Sequence, residues 1–232
     1  SELLGKTFYA ISPDETKRTL NGLFFTLGNN FVQTVATDGH RLALARKDSP
    51  YEFVQEIYCI LPRKGVAEIR RLLSEYTGEV ELNFLKNIII LRKDKHLFFT
   101  RLIEGEFPKF AGVISAAYEN RVVTDRDAIS HALRRVSLMS NEINRLVAVS
   151  FQSDSLTIES GEANLGDASE TVSASYSGEP LTMGFNARYL LELLANIDDS
   201  KVVIKLIDAG KSTRIEASDN KDFIHIIMPM RL

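Results

Sequence analysis

Apolar positions along the chain follow the same order twice. Leu3, Leu4, Phe8 and Ile11 fall on one helical face, and so do Ile129, Ala132, Leu133 and Val136. Strand-like runs follow each of these segments. They are Leu20–Leu27, Phe31–Ala36 and Leu42–Arg46 in the first copy, and Leu146–Phe151, Leu156–Ser160 and Thr171–Tyr176 in the second. A short apolar strand then meets a helix start in both. Tyr58–Leu61 runs into Pro62, with Val66, Ile69, Leu72 and Leu73 at helical spacing. Met183–Phe185 runs into Asn186, a good N-cap, followed by Leu190, Leu193, Leu194 and Ile197. Three more strands close each copy: Val80–Phe84, Ile88–Arg92 and His96–Ile103, then Val202–Leu206, Ser212–Glu216 and Phe223–Met228. Turn pairs such as Lys86-Asn87 and Ala209-Gly210 separate them.

A register offset of about 125 residues is one domain's length. The pattern predicts an α+β fold of two tandem domains, 1–115 and 116–232, each with two helices packed on antiparallel β-sheet. Their junction falls in the 112–120 stretch, and no Gly/Ser-rich linker separates them.

Composition narrows the function classes. The chain carries 28 Lys and Arg against 31 Asp and Glu, a net charge of −3, with +2 on residues 1–115 and −5 on 116–232. Neither half is a basic cloud, so nucleic-acid contact has to come from a local cationic stripe. The single cysteine excludes a disulfide framework and a Cys-rich metal site, and suits a reducing compartment. The longest uncharged run, 19–37, is too rich in Thr, Asn, Gly and Gln to span a membrane. The first residues, Ser1-Glu2-Leu3-Leu4-Gly5-Lys6, do not form a signal peptide, and the missing initial Met suggests a fragment or a processed start.

Catalytic constellations are scarce. His40, His96, His131 and His225 make no metal-ligand spacing, there is no Gly-rich phosphate loop, and Asp198-Asp199 reads as a solvated loop. No metal or cofactor is expected. Cys59 lies in an apolar strand and reads as a buried small hydrophobe. Three features stand out instead. Thr37-Asp38-Gly39-His40-Arg41-Leu42 is a hairpin signal, read either as a plain turn or as one that presents Thr37, His40 and Arg41 beside Leu20 and Leu42. The tail Ile226-Ile227-Met228-Pro229-Met230-Arg231-Leu232 stays apolar to its end, either as a last core strand or as a receptor for varied apolar partners. Arg63, Lys64, Arg70 and Arg71, with Lys17-Arg18 and with Arg126, Arg134 and Arg135, decorate the helices and one loop. They read as solvated faces or as non-specific phosphate contacts.

These features in this order resemble the β subunits of bacterial DNA polymerase III, the sliding clamps. The resemblance rests on Leu20-Asn21-Gly22, Thr37 to Leu42, Pro62-Arg63-Lys64-Gly65 and Phe107-Pro108. It continues through Ser140-Asn141-Glu142, Gly184-Phe185-Asn186 with Tyr189, and Met228 to Leu232. It runs essentially end to end, and it implies the second and third of the family's three domains, with the second lacking its first strand. Two chains of the family close into a homodimeric ring around duplex DNA, which this piece would not form; it is expected to be monomeric.

The resemblance implies a non-enzymatic, cytoplasmic, nucleoid-associated processivity factor. By position, Lys17, Arg18, Arg63, Lys64 and Arg71 would meet DNA without sequence readout. It also implies a hydrophobic pocket between the second and third domains for short linear motifs. Its ligands would be the polymerase III catalytic subunit, other polymerases, the clamp loader and repair proteins. The matching residues are Leu20, Thr37, Gly39, His40, Arg41, Leu42, Pro108 and Val113, then Asn186, Tyr189, Ser212 and Ile226 through Leu232. Gly112 and Gly210 depart from the family's pattern, where many members carry Arg and a branched apolar residue, and would widen the pocket. Two other readings compete: a stand-alone DNA-binding module, and a hydrolase using Asp38, His40 and Cys59.

Overall fold

The computed structural model describes residues 1–53, 55–75, 77–162 and 166–232, which divide into two compact units, Ser1–Lys109 and Phe110–Leu232. The first unit begins with α1 (Glu2–Phe8) and the strands β1 (Gly22–Gly28), β2 (Phe31–Thr37) and β3 (Arg41–Asp48). It continues with β4 (Ile57–Pro62), α2 (Arg63–Glu75), β5 (Glu81–Phe84), β6 (Ile88–Lys93) and β7 (His96–Arg101). The strands run antiparallel in the orders β4-β1-β2-β3 and β5-β6-β7.

Alternation sets which side chains turn inward. Leu23 and Phe25 of β1 stand opposite Leu61 and Cys59 of β4. All four join Leu4, Val66 and Ile69 from the two helices in one core. α2 follows directly on Pro62 and is amphipathic, with Val66 and Ile69 inward and Lys64 and Glu68 in solvent.

The second unit opens with the short helix α3 (Ala111–Ile114), β8 (Asn120–Asp125) and α4 (Arg126–Val136), whose N-cap Asp125 accepts the Ala128 N–H at 2.8 Å. After it come β9 (Leu146–Gln152), β10 (Ser155–Glu162), β11 (Gly166–Tyr176), β12 (Leu181–Asn186) and α5 (Ala187–Leu194). Three strands finish the chain: β13 (Lys201–Leu206), β14 (Thr213–Ala217) and β15 (Phe223–Ile227). These strands form one antiparallel order, β12-β9-β10-β11-β8-β13-β14-β15. Leu133, Leu193, Phe151, Leu156 and Ile158 are buried beneath the helices.

The α+β reading of two helix-on-sheet units holds. Beside the short helix α3, strand β8 is an element that the pattern did not anticipate. Val122 and Thr124 are its only inward side chains, and Asn120, Arg121 and Asp125 mask their alternation. Segment 110–115 sits with the second unit, before the boundary placed at 115. Hydrogen bonds hold it there, from the Tyr118 hydroxyl to the Val113 carbonyl at 3.0 Å and from Arg214 Nη1 to the Ile114 carbonyl at 3.3 Å.

β5 and β13 occupy matching places in the two copies and differ in burial. Val202, Ile204 and Leu206 are 0%, 4% and 0% exposed, whereas Val80, Leu82 and Phe84 are only partly buried. The cause is a missing neighbour: β13 is covered by β8, while β5 pairs with β6 alone among the described residues. An apolar cavity of about 520 Å³ opens there, lined by Phe25, Leu27, Ile69, Leu73, Leu82 and Phe84.

Candidate functional site

In the first unit, the turn between β2 and β3 is built by its own polar side chains. Asp38 Oδ1 accepts the backbone N–H groups of His40 and Arg41 at 2.9 and 3.0 Å, and Oδ2 accepts Arg41 Nε at 3.0 Å. The Thr37 hydroxyl donates to the Arg41 carbonyl at 2.6 Å and accepts from Gly39 N at 3.1 Å. Gly39 has φ +97°, which a β-carbon would strain. Arg41 also donates to the Tyr9 carbonyl at 2.9 Å and lies over the Tyr9 ring at 5.2 Å.

Thr37 and Arg41 are therefore turn-builders: both are buried, while Gly39 and His40 are exposed. Of the three polar side chains read as presented by this turn, His40 alone reaches the surface. Leu42 is buried, Leu20 half-buried and Pro108 exposed. Beside Pro108, Phe107 stacks on Phe24 at 5.1 Å between centroids, and Phe24 tilts against Tyr58 at 6.1 Å. The sequence reading passed over this aromatic group because Phe24 and Tyr58 sit on two strands that pair only in the fold.

The cationic residues separate into two kinds. Arg63 donates to the Ile11 carbonyl at 2.7 Å and lies 4.8 Å from the Phe8 ring centroid, with Arg70 at 4.6 Å from the same ring. Arg71 is held along its own helix by Glu68 and Glu75 at 3.1 and 2.9 Å. Arg63 thus packs structure, and Arg71's charge is offset locally. Lys17 and Arg18 stand exposed on their loop, and Lys64 meets Glu15 at 3.1 Å with both side chains largely in solvent, a contact worth little. Arg18, Lys64 and Arg101 share a groove of about 660 Å³ with Glu15 and Glu104.

In the second unit, Asn186 caps α5 by accepting the Tyr189 N–H at 3.2 Å, and its amide donates to the Asn144 carbonyl at 3.0 Å. Ile226 and Ile227 are 2% and 0% exposed, so they are core and offer no contact surface. β15 ends at Ile227, and the chain then leaves the core. Met228 is 42% and Leu232 67% exposed, Arg231 is exposed, and Pro229 and Met230 are half-buried. One backbone bond ties this tail down, from Met230 N–H to the Gly184 carbonyl at 2.8 Å. Ser212 and Val113 are half-buried and joined through Tyr118, which the sequence reading did not single out. A β-carbon at Gly112 would meet no atom within 4 Å, so that position is open.

Electrostatics in this unit centre on Glu216, which is 3% exposed and receives both Lys205 and Arg214. Burial alone would raise its carboxyl; the two cationic partners outweigh that and hold it below the ordinary value. Cys59 shows the opposite balance. Burial pushes its thiol up to about 12, and it belongs to the first unit's core, so a thiolate nucleophile beside Asp38 is not supported. Among the described residues no group of three or more His, Cys, Asp and Glu could hold a metal ion, and no helix is long and apolar enough to cross a membrane.

Comparison with known proteins gives a concordant picture. The family described as DNA polymerase III beta subunit, central domain, matches residues 1–109, and the C-terminal domain of the same subunit matches residues 112–231. A beta sliding clamp from Pseudomonas putida is 32% identical over 230 residues, covering 99% of this chain and 63% of that protein. One from Haemophilus influenzae is 34% identical with the same coverage, 99% and 63%. Among solved structures, a ligand-bound DNA polymerase sliding clamp from Pseudomonas aeruginosa matches at 32% identity with a TM-score of 0.96, covering 100% of this chain and 63% of that one. A second Pseudomonas aeruginosa clamp, bound to griselimycin, matches equally well, with a TM-score of 0.96. The chain thus spans 63% of the length of these relatives.

Proposed function

Because the chain belongs to the DNA polymerase III beta subunit family, we propose that its two units are the second and third domains of a sliding clamp. In this reading the protein is a non-catalytic processivity factor working in the bacterial cytoplasm. As part of a complete homodimeric ring it encloses duplex DNA without reading sequence, and it docks the replicative polymerase, the clamp loader and other proteins through short linear motifs. The first unit is read as a clamp domain whose opening strand is not among these 232 residues. Support comes from the edge of β5, which pairs with β6 alone among the described residues, and from the apolar cavity beside it, where the second copy has β8.

The observation that carries the docking role is the tail. Met228, Met230 and Leu232 follow a buried strand, remain partly or largely exposed, and are held in place through the Met230–Gly184 bond. Apolar side chains pinned on a surface suit an extended apolar peptide, each of whose buried Leu or Phe anchors contributes roughly 1.5–3 kcal/mol. Tyr189 and Ser212, in the same unit as the tail, supply polar orientation. DNA contact is assigned to Lys17, Arg18 and Lys64, with Arg63 and Arg71 in supporting roles. Cations scattered on a chain of net charge −3 give weak, salt-sensitive contact and not capture by affinity.

Fluorescence anisotropy of a labelled Gln-Leu-x-Leu-Phe peptide, titrated with the intact chain and with one lacking Met230-Arg231-Leu232, tests the docking role. Saturable binding that disappears on truncation, with circular dichroism unchanged, is expected. Absence of binding by the folded intact chain overturns it. Tight, steeply salt-dependent binding to linear duplex would favour a stand-alone DNA-binding module instead.

A further inference from the structure

Tyr118 ties together two residues of the proposed docking surface. Its hydroxyl donates to the Val113 carbonyl at 3.0 Å and lies 3.1 Å from Ser212 Oγ. A phenol has one proton, and a carbonyl can only accept. With that proton committed to Val113, the bond to Ser212 requires the serine hydroxyl to be the donor. Ser212 is left without a proton to give and with a lone pair available. We infer that Tyr118 is a positioning residue that fixes Ser212 as a hydrogen-bond acceptor, so that this part of the surface selects an N–H group on the docked peptide.

Two further features favour this reading over simple packing. α3 is only four residues long and carries no side-chain cap, so beyond the Val113 N–H bond to the Phe110 carbonyl at 3.1 Å its placement depends on contacts from outside the helix. Arg214 supplies the second such contact, to the Ile114 carbonyl at 3.3 Å, while Glu216 holds Arg214 itself at 2.7 Å. The strut therefore runs from a braced strand, β14, to the segment bearing Val113, with Tyr118 as its polar link. Gly112, with open space around it, adds no restraint of its own.

The inference rests on the docking role, and the test separates the two. An amide-to-ester scan of the Gln-Leu-x-Leu-Phe peptide removes one N–H at a time, and binding is read by anisotropy with the native chain, Tyr118→Phe and Ser212→Ala. With the native chain, one position should lose affinity by about fivefold, the scale of one net hydrogen bond. That penalty should vanish in Ser212→Ala and shrink in Tyr118→Phe, where the freed hydroxyl can turn. The double variant should lose no more affinity than the worse single one, as for residues acting through one contact. Binding by the native chain with no position-specific penalty, or with equal penalties in native and Tyr118→Phe, overturns the inference alone. Failure of the native chain to bind any peptide overturns the docking role and the inference with it. Thermal midpoints of all variants are measured alongside; if Tyr118→Phe does not fold, the ester penalty in native against Ser212→Ala decides.

Discussion

The Met230 N–H reaches the Gly184 carbonyl at 2.8 Å, and a β-carbon on Gly184 would come within 2.6 Å of the Met230 carbonyl oxygen. The tail can therefore lie where it does only because position 184 lacks a side chain.

Gly184→Val should expel the Met228–Leu232 tail while β12 and the helices persist. Peptide affinity should fall by tenfold or more, with thermal stability reduced by about 1–3 kcal/mol from local overpacking. Anisotropy titration and a melting curve check this. Native affinity in a folded Gly184→Val chain would refute it.

Asp38 holds three groups of its turn, one on His40 and two on Arg41, and lies buried against the Arg41 guanidinium. Removing one partner of a buried pair leaves the other charge uncompensated. Asp38→Ala should cost about 3–5 kcal/mol in urea unfolding. His40→Ala, at an exposed position, should leave stability within about 0.5 kcal/mol.

Glu216 has a carboxyl held below its ordinary value in the folded protein, so it contributes stability above the unfolded-state pKa of about 4.3 and loses it as pH falls through the folded value. Glu216→Gln should destabilise the chain by about 2–4 kcal/mol at pH 7. The gap between native and variant should hold above the unfolded-state value and close as pH falls through the lowered folded one. A gap independent of pH would show that the carboxyl is not charged in the native state.

Amide exchange should distinguish the two copies. β13 is paired on both sides, whereas β5 pairs on one side only among the described residues. The amides of Glu81–Phe84 should exchange at least tenfold faster than those of Lys201–Leu206. Leu82 and Phe84 should also bind an apolar dye through the cavity they line. Equal protection would mean that the β5 edge is covered.

Much of the fold was legible in the residues themselves. Period-3.6 spacing placed Ile129 to Val136 on a helix, period-2 alternation placed most strands, and the repetition of both fixed two similar units. Asn186 read as an N-cap and is one. Local spacing suffices for such elements because their hydrogen bonds and their inward faces are set within a few residues. β8 escaped because its burial comes from neighbours at 174–176 and 201–206, which its own six residues do not announce.

The roles of individual polar groups belonged to the tertiary structure. Sequence marked Thr37, His40 and Arg41 as one motif; only folding around Asp38 and Tyr9 turned two of them inward and left His40 outside. It marked Arg63 and Lys64 as equivalent cations, and Phe8 with the Ile11 carbonyl then claimed Arg63. Ile226 to Leu232 formed one apolar run until sheet pairing buried its first two residues and released the rest. A sequence states what each side chain can do. The contacts it makes depend on partners 30 to 100 positions away, which only the assembled sheets and helices bring within reach.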